Sequence, residues 1–175
     1  IPTDTLHEAL THEPGSGEMI WKSRPASHFK SKANALRWNN RNAGMTAGVP
    51  NEAGYLTIAL NGKSILAHRA AWAMIAGNWP EGVIDHIDHN RSNNRAVNLR
   101  DVSQADNARN LSRFVTNTSN VTGVSWHRAS GKWRAQIGNG KHLGTFDRFE
   151  SAVAVRKKAE RARGFHENHG KPSNS

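Results

Sequence analysis

The sequence predicts an α+β protein made of two consecutive units. Three observations carry this expectation. Residues 55–68 alternate in the strand manner on both sides of Asn61-Gly62, which reads as a hairpin because both turn positions tolerate positive φ. Residues 83–110 run as strand, polar loop, strand and helix. Residues 123–163 hold three short strands with glycine turns and then one helix, and an Asn-, Thr- and Ser-rich stretch precedes them.

Element by element, Thr3 to Thr11 predicts a short helix with polar caps at Thr3 and Asp4. Glu18 to Lys22 predicts a strand. Ser31 to Asn42 predicts a helix, with Ala35 and Trp38 on one face and Gly44 ending it. Tyr55–Leu60 and Lys63–His68 are the hairpin arms. A helix follows from Arg69 to about Gly77, then a loop at Trp79–Gly82. Val83 and Ile84 enter a strand, Asn90–Arg95 turns, Val97–Val102 is a second strand, and Ser103–Asn110 is a helix capped by Ser103. Residues 111–119 are expected to be a linker. Gly123–Trp126, Lys132–Ile137 and Lys141–Phe146 are strands, and a helix spans about Arg148 to Arg163, with Asp147 and Glu150 at capping-box spacing. Ala152, Val155 and Ala159 offer it an apolar face. Residues 166–175 are expected to form a mobile tail. The domain boundaries are therefore 1–110 and 120–165.

Charge narrows the partner. The 175 residues carry a formal net charge of +10. Residues 1–110 hold 12 Lys+Arg against 10 Asp+Glu, and residues 111–175 hold 12 against 4. Such a surplus favours a polyanion, with nucleic acid ahead of an anionic membrane surface. There is no cysteine, which excludes disulfides and cysteine-zinc staples and permits a reducing setting. No apolar run is long enough to span a bilayer, and no secretory signal opens the chain at Ile1. The expectation is a cytoplasmic protein without a membrane partner.

The densest chemistry lies in residues 83–110. Hydrolysing a phosphodiester needs a base to activate water, a cation to neutralise developing charge, and a group that fixes the base. His86 can be the base, since imidazole titrates near neutrality. Asp85 can be a hard oxygen ligand for Mg²⁺ or Mn²⁺, and Asn107 a second, neutral one. Asn98 can hold the backbone or orient His86. Neighbours on a strand point to opposite faces, so Asp85 and His86 can serve one phosphate only if the strand ends or bulges there.

This stretch resembles the HNH nuclease family, especially its phage and intron-encoded homing branch. The resemblance rests on Asp85-His86, on Asn93-Asn94-Arg95 with Asn98-Leu99-Arg100, and on Gln104, Asn107 and Asn110. It implies a ββα-metal (His-Me finger) core at about 83–110 with a helix and hairpin lead-in. It also implies a catalytic base at His86, metal ligands at Asp85 and Asn107, a supporting Asn98, and products with 5′-phosphate and 3′-hydroxyl ends. His89 departs from the pattern, standing where relatives often have Gly. Together with His68, it is expected near the site as a supporting group or as a packed residue. Arg69, Arg95 and Arg100 are candidate phosphate contacts. A phage gene acting in a bacterial cytoplasm would suit the branch.

In the basic C-terminal unit, Trp133, Ala135 and Ile137 should face the helix, as should Val124, Trp126 and Leu143. Ser125, His127, Arg128, Arg134, Gln136 and His142 then form an outward set that can meet DNA. Gly123-Val124, Gly131-Lys132-Trp133 and Leu143-Gly144-Thr145-Phe146-Asp147 resemble the ethylene-response-factor (Apetala-type) DNA-binding domain, which implies a sheet laid in the major groove. The combined expectation is a metal-dependent endonuclease on double-stranded DNA. It has a divalent ion, no structural zinc and no small-molecule cofactor, and acts as a monomer or dimer. A non-catalytic DNA-binding regulator and a structure-specific or RNA nuclease stay open as alternatives.

Overall fold

The computed structural model describes residues 1–138 and 140–172. The chain divides into two compact units, Ile1–Ser103 and a second that begins at Gln104. Both are α+β, as expected.

The first unit opens with helix α1, Thr3–Ala9. The chain does not stay helical to Thr11, because Leu10–His12 forms strand β1 against β2, Met19–Trp21. Leu10 is fully buried, and tertiary burial outweighs the local helical pattern. Helix α2, Lys32–Asn42, is capped by Ser31, whose hydroxyl accepts the Asn34 N–H at 3.2 Å. Gly44, with φ 82°, follows its end.

The hairpin is β4, Leu56–Leu60, and β5, Lys63–Leu66, with β3, Val49–Pro50, adding a third strand. Asn61 and Gly62 both have positive φ, as the expected turn requires. Helix α3 spans Ala67–Ala76, starting two residues early, so His68 sits in its first turn and not in the hairpin. Strands β6, Val83–His86, and β7, Leu99–Val102, pair antiparallel, with Asp85 opposite Arg100 and His86 opposite Leu99. Val97 and Asn98, expected at the start of that strand, belong to a 3-10 turn, Ala96–Asn98. The core gathers Leu6, Leu10, Met19, Ile58, Leu60, Ile84, Leu99 and the alanines of α3, with Trp21, Trp72 and Trp79 packed on it. Trp38 lies outside this core, edge-on to Trp21.

The second unit starts with the short helix α4, Gln104–Ala108. Strands β8, Val124–His127, β9, Lys132–Ile137, and β10, Lys141–Phe146, form a sheet with β9 in the middle. Helix α5, Phe149–Ala162, lies on it through Ala152, which meets Val124 and Ala135. Several local expectations change here. The capping box does not form, since Asp147 pairs with Lys132 at 3.1 Å instead. Trp126, expected inside, stacks edge-on against Trp133 yet is 49% exposed, because it sits on an edge strand.

The helix face is also less apolar than expected. Its buried positions are Ala152, Arg156 and Glu160, while Val155 and Ala159 are only half-buried. Arg156 pairs with Glu160 at 3.2 Å, donates to the Thr122 carbonyl at 2.9 Å and lies over Phe165. The expected mobile tail covers this pair. His169 is buried beside Arg156, the His166 N–H donates to the Arg109 carbonyl, and the Gly170 N–H donates to that of Leu111. The final three residues lie outside the described residues.

Candidate functional site

His86 is the last residue of β6, opposite Leu99, with Asp85 opposite Arg100 and no bulge between them. Both are buried. Asp85 turns to Arg100, whose Nε and Nη2 donate to the same carboxylate oxygen at 2.7 and 2.6 Å. His86 turns to Asn94: its Nε2 lies 3.1 Å from Asn94 Oδ1, inside the protein. The His68 ring stands edge-on to His86 at 5.0 Å, and Tyr55 lies 5.0 Å from His68 and 6.0 Å from His86. The Arg91 guanidinium lies over the Tyr55 ring, 5.0 Å from its centre.

Electrostatics favour neutral rings here. Burial pushes His86 below the usual imidazole range. The Asn94 hydrogen bond and the Asp88 and Asp85 carboxylates pull it partly back, and Arg91 opposes them. His68 is driven down to about 3, by burial first and then by His86 and Arg69. A neutral imidazole that donates from Nε2 to Asn94 carries its basic lone pair on Nδ1.

A loop of amides holds this geometry. Asn98 accepts the Asp88 N–H and donates to the Asp88 carboxylate at 2.9 Å and to the Asn93 carbonyl at 2.8 Å. Burial would raise the Asp88 pKa, but hydrogen bonds from Asn93, the Asn90 N–H and Asn98 outweigh it and hold Asp88 ionised. Asn98 therefore fastens the loop, and the side chain on the His86 ring is Asn94. Sequence reasoning gave that role to no residue but Asn98. The Asn93-Asn94 run was visible, yet nothing local distinguishes its second amide from its first.

Asn94 is buttressed from far along the chain. His12 Nε2 lies 3.1 Å from the Asn94 carbonyl, and the Ala96 N–H donates to the Pro14 carbonyl. Gly17, at φ 79°, passes so close that a Cβ there would lie within 2.6 Å of the Asn94 and Arg95 backbone. His89, the residue at the expected glycine position, adopts φ 65°, a left-handed conformation that glycine takes at less cost.

Of the remaining expected residues, Arg69 is directed inward, not to solvent. Its guanidinium donates to the Gly82 and Pro80 carbonyls at 3.0 and 3.1 Å and fastens that loop. Arg100 is committed to Asp85. Arg95 is exposed. Asn107 lies on α4, in the second unit. On the second unit's sheet, Ser125 pairs in register with Arg134 and Gln136 with His142, so these four share one face, as expected. His127 bonds Ser130, Gln136 reaches the Gly140 carbonyl, and Arg128 is exposed at the turn.

Asp85 is a hard oxygen donor that already holds one cation, the Arg100 guanidinium. Among the described residues no three His, Cys, Asp or Glu side chains converge as a metal site. A hard carboxylate oxygen suits an ion that keeps much of its own water, as Mg²⁺ does.

Residues 66–109 match the HNH endonuclease family. The matched segment runs from the end of β5 through α3, the two strands and α4. A second similarity is to Protein 3.8 of Escherichia phage T7, 35% identical over 71 residues. That alignment covers 40% of this chain and 59% of the phage protein, so the chain spans less than two thirds of its relative. No solved structure matches. The HNH segment holds His68, Asp85, His86, Asn94 and Asn98, while Tyr55, Gly17 and His12, which pack around it or buttress it, lie outside it. No described helix is long and apolar enough to cross a membrane.

Proposed function

We propose that this protein is a metal-dependent DNA endonuclease in which His86 is the general base. The observation that carries the reading is the buried His86–Asn94 contact, which orients an imidazole that burial keeps neutral and leaves its basic lone pair on Nδ1. His86 removes a proton from water, and the resulting hydroxide attacks phosphorus in line as the P–O3′ bond breaks and the departing 3′ oxygen takes a proton from solvent. The products carry 5′-phosphate and 3′-hydroxyl ends. Asp85 is the residue of the first unit that would hold Mg²⁺ or Mn²⁺, and that ion would neutralise charge on the phosphate and the leaving oxygen. Arg95 contacts the backbone near the cut. The outward face of the second unit's sheet, with Ser125, His127, Arg128, Arg134, Gln136 and His142, lies along the duplex in the manner of ethylene-response-factor domains. The phage relative suits a phage gene acting in a bacterial cytoplasm.

Plasmid cleavage with and without Mg²⁺ tests this. His86→Ala should lower the rate by about 10²–10⁴, and chelation should abolish cutting. Equal cleavage by wild type and variant would sink the assignment.

One observation favours a second reading, a DNA-binding protein whose HNH unit is only a scaffold. Arg100 occupies the Asp85 carboxylate and competes with a metal ion. If so, the wild type binds duplex DNA but never cuts it, and Mg²⁺ leaves its thermal midpoint unchanged.

A further inference from the structure

A strongly one-sided charge lies outside both regions already assigned to DNA. Residues 19–51 contain six Lys+Arg, namely Lys22, Arg24, Lys30, Lys32, Arg37 and Arg41, and no Asp or Glu. The rest of residues 1–110 holds six against ten, so this segment reverses the sign of its own unit. Its centre is α2, which buries only Ala35.

At helical spacing Arg37 and Arg41 stand one turn apart on the exposed side, with Asn34 one turn before Arg37. Among the described residues no carboxylate lies within ion-pair distance of Lys30, Lys32, Arg37 or Arg41. By contrast Arg109, Lys132, Arg148 and Lys157 each have one. Phe29, Asn34, Arg37, Trp38, Arg41 and Asn42 line a shallow groove. Hydrogen bonds and ring contacts tie its surroundings together. Asn39 exchanges two hydrogen bonds with the Arg24 backbone at 3.0 and 2.9 Å, and the buried Arg24 guanidinium lies against Phe29 and Trp38 and donates to Asn61.

We propose that the α2 groove is a second DNA-binding surface that grips the sugar–phosphate backbone of duplex DNA through Arg37 and Arg41. Charge complementarity selects this occupant. Two unpaired guanidiniums one helical turn apart match phosphates along a strand, Asn34 can donate to a phosphate oxygen, and the half-buried rings suit a sugar edge. Such contacts fix register without reading sequence. The proposal rests on the reading that the substrate is DNA. It adds a grip supplied by the catalytic unit itself, independent of the C-terminal sheet.

The test is equilibrium binding of the full chain to a labelled duplex of mixed sequence, in EDTA so that nothing is cut. Affinity is followed by anisotropy from about 50 to about 200 mM salt. The double variant R37Q/R41Q should lower the slope of log affinity against log salt by about 1.8 and weaken binding about tenfold at the low-salt end. R37K/R41K keeps the charges and should keep the slope. Both residues are exposed, so thermal midpoints should match wild type. Wild-type binding with an unchanged slope in R37Q/R41Q overturns the groove and leaves the nuclease reading standing. No duplex binding by wild type at any salt overturns both. Loss confined to duplex RNA, with DNA binding intact, overturns the groove as well.

Discussion

Asn94 Oδ1 lies 3.1 Å from His86 Nε2, with both side chains buried. The contact sets the ring's orientation and its tautomer together. It also opposes the effect of burial on His86, since a partner for the ring nitrogen raises its pKa.

Asn94→Ala should therefore lower the His86 pKa further and let the ring turn. An imidazole titration followed by NMR should show the downward shift, and cleavage should slow by about tenfold or more, since misplacing a reacting group by an ångström costs on the order of 10². An unchanged titration would mean that the contact does not govern His86.

His68 should make the protein acid-sensitive. Its folded pKa is about 3 against an unfolded value of 6.5. Above pH 6.5 both states leave it neutral and its contribution is flat. Below 6.5 the unfolded chain takes up a proton that the folded one refuses. Stability then falls by up to about 1.4 kcal/mol per pH unit, levelling off near pH 3. Urea unfolding across this window should show a shallower pH slope for His68→Gln than for wild type, and identical slopes would refute the assignment.

Arg156 and Glu160 form a buried pair beneath residues 165–170. Glu160→Gln leaves the guanidinium with no full counter-charge and should cost about 3 kcal/mol. Limited proteolysis should then cut near residue 165 sooner than in wild type. A variant as protected as wild type would show that the pair does not hold the tail.

The legible parts of this molecule are the ones whose signals are local. Asn61-Gly62 specified the hairpin because positive φ at two successive residues is a property of those residues. The strand, loop and strand order around Asp85 and His86 followed from apolar runs broken by amides. The helix that was expected to run on to Thr11 failed because Leu10 finds Trp21 across a strand pair. The expected apolar face of α5 failed because spacing shows which positions are buried but not that an ion pair fills them.

By itself the sequence determined the α+β class and the surplus of positive charge, and it offered candidate residues for phosphodiester chemistry. Composition, turn chemistry and periodicity act over a few residues and need no fold. Only the tertiary structure decided which side chain each of those residues meets. Asn94 serves His86, while Asn98 fastens the loop. Arg69 and Arg100 turn inward to carbonyls and to Asp85. The reason is distance along the chain: Asn94 is held in place by His12, 82 residues earlier, and partners that far apart are chosen by packing.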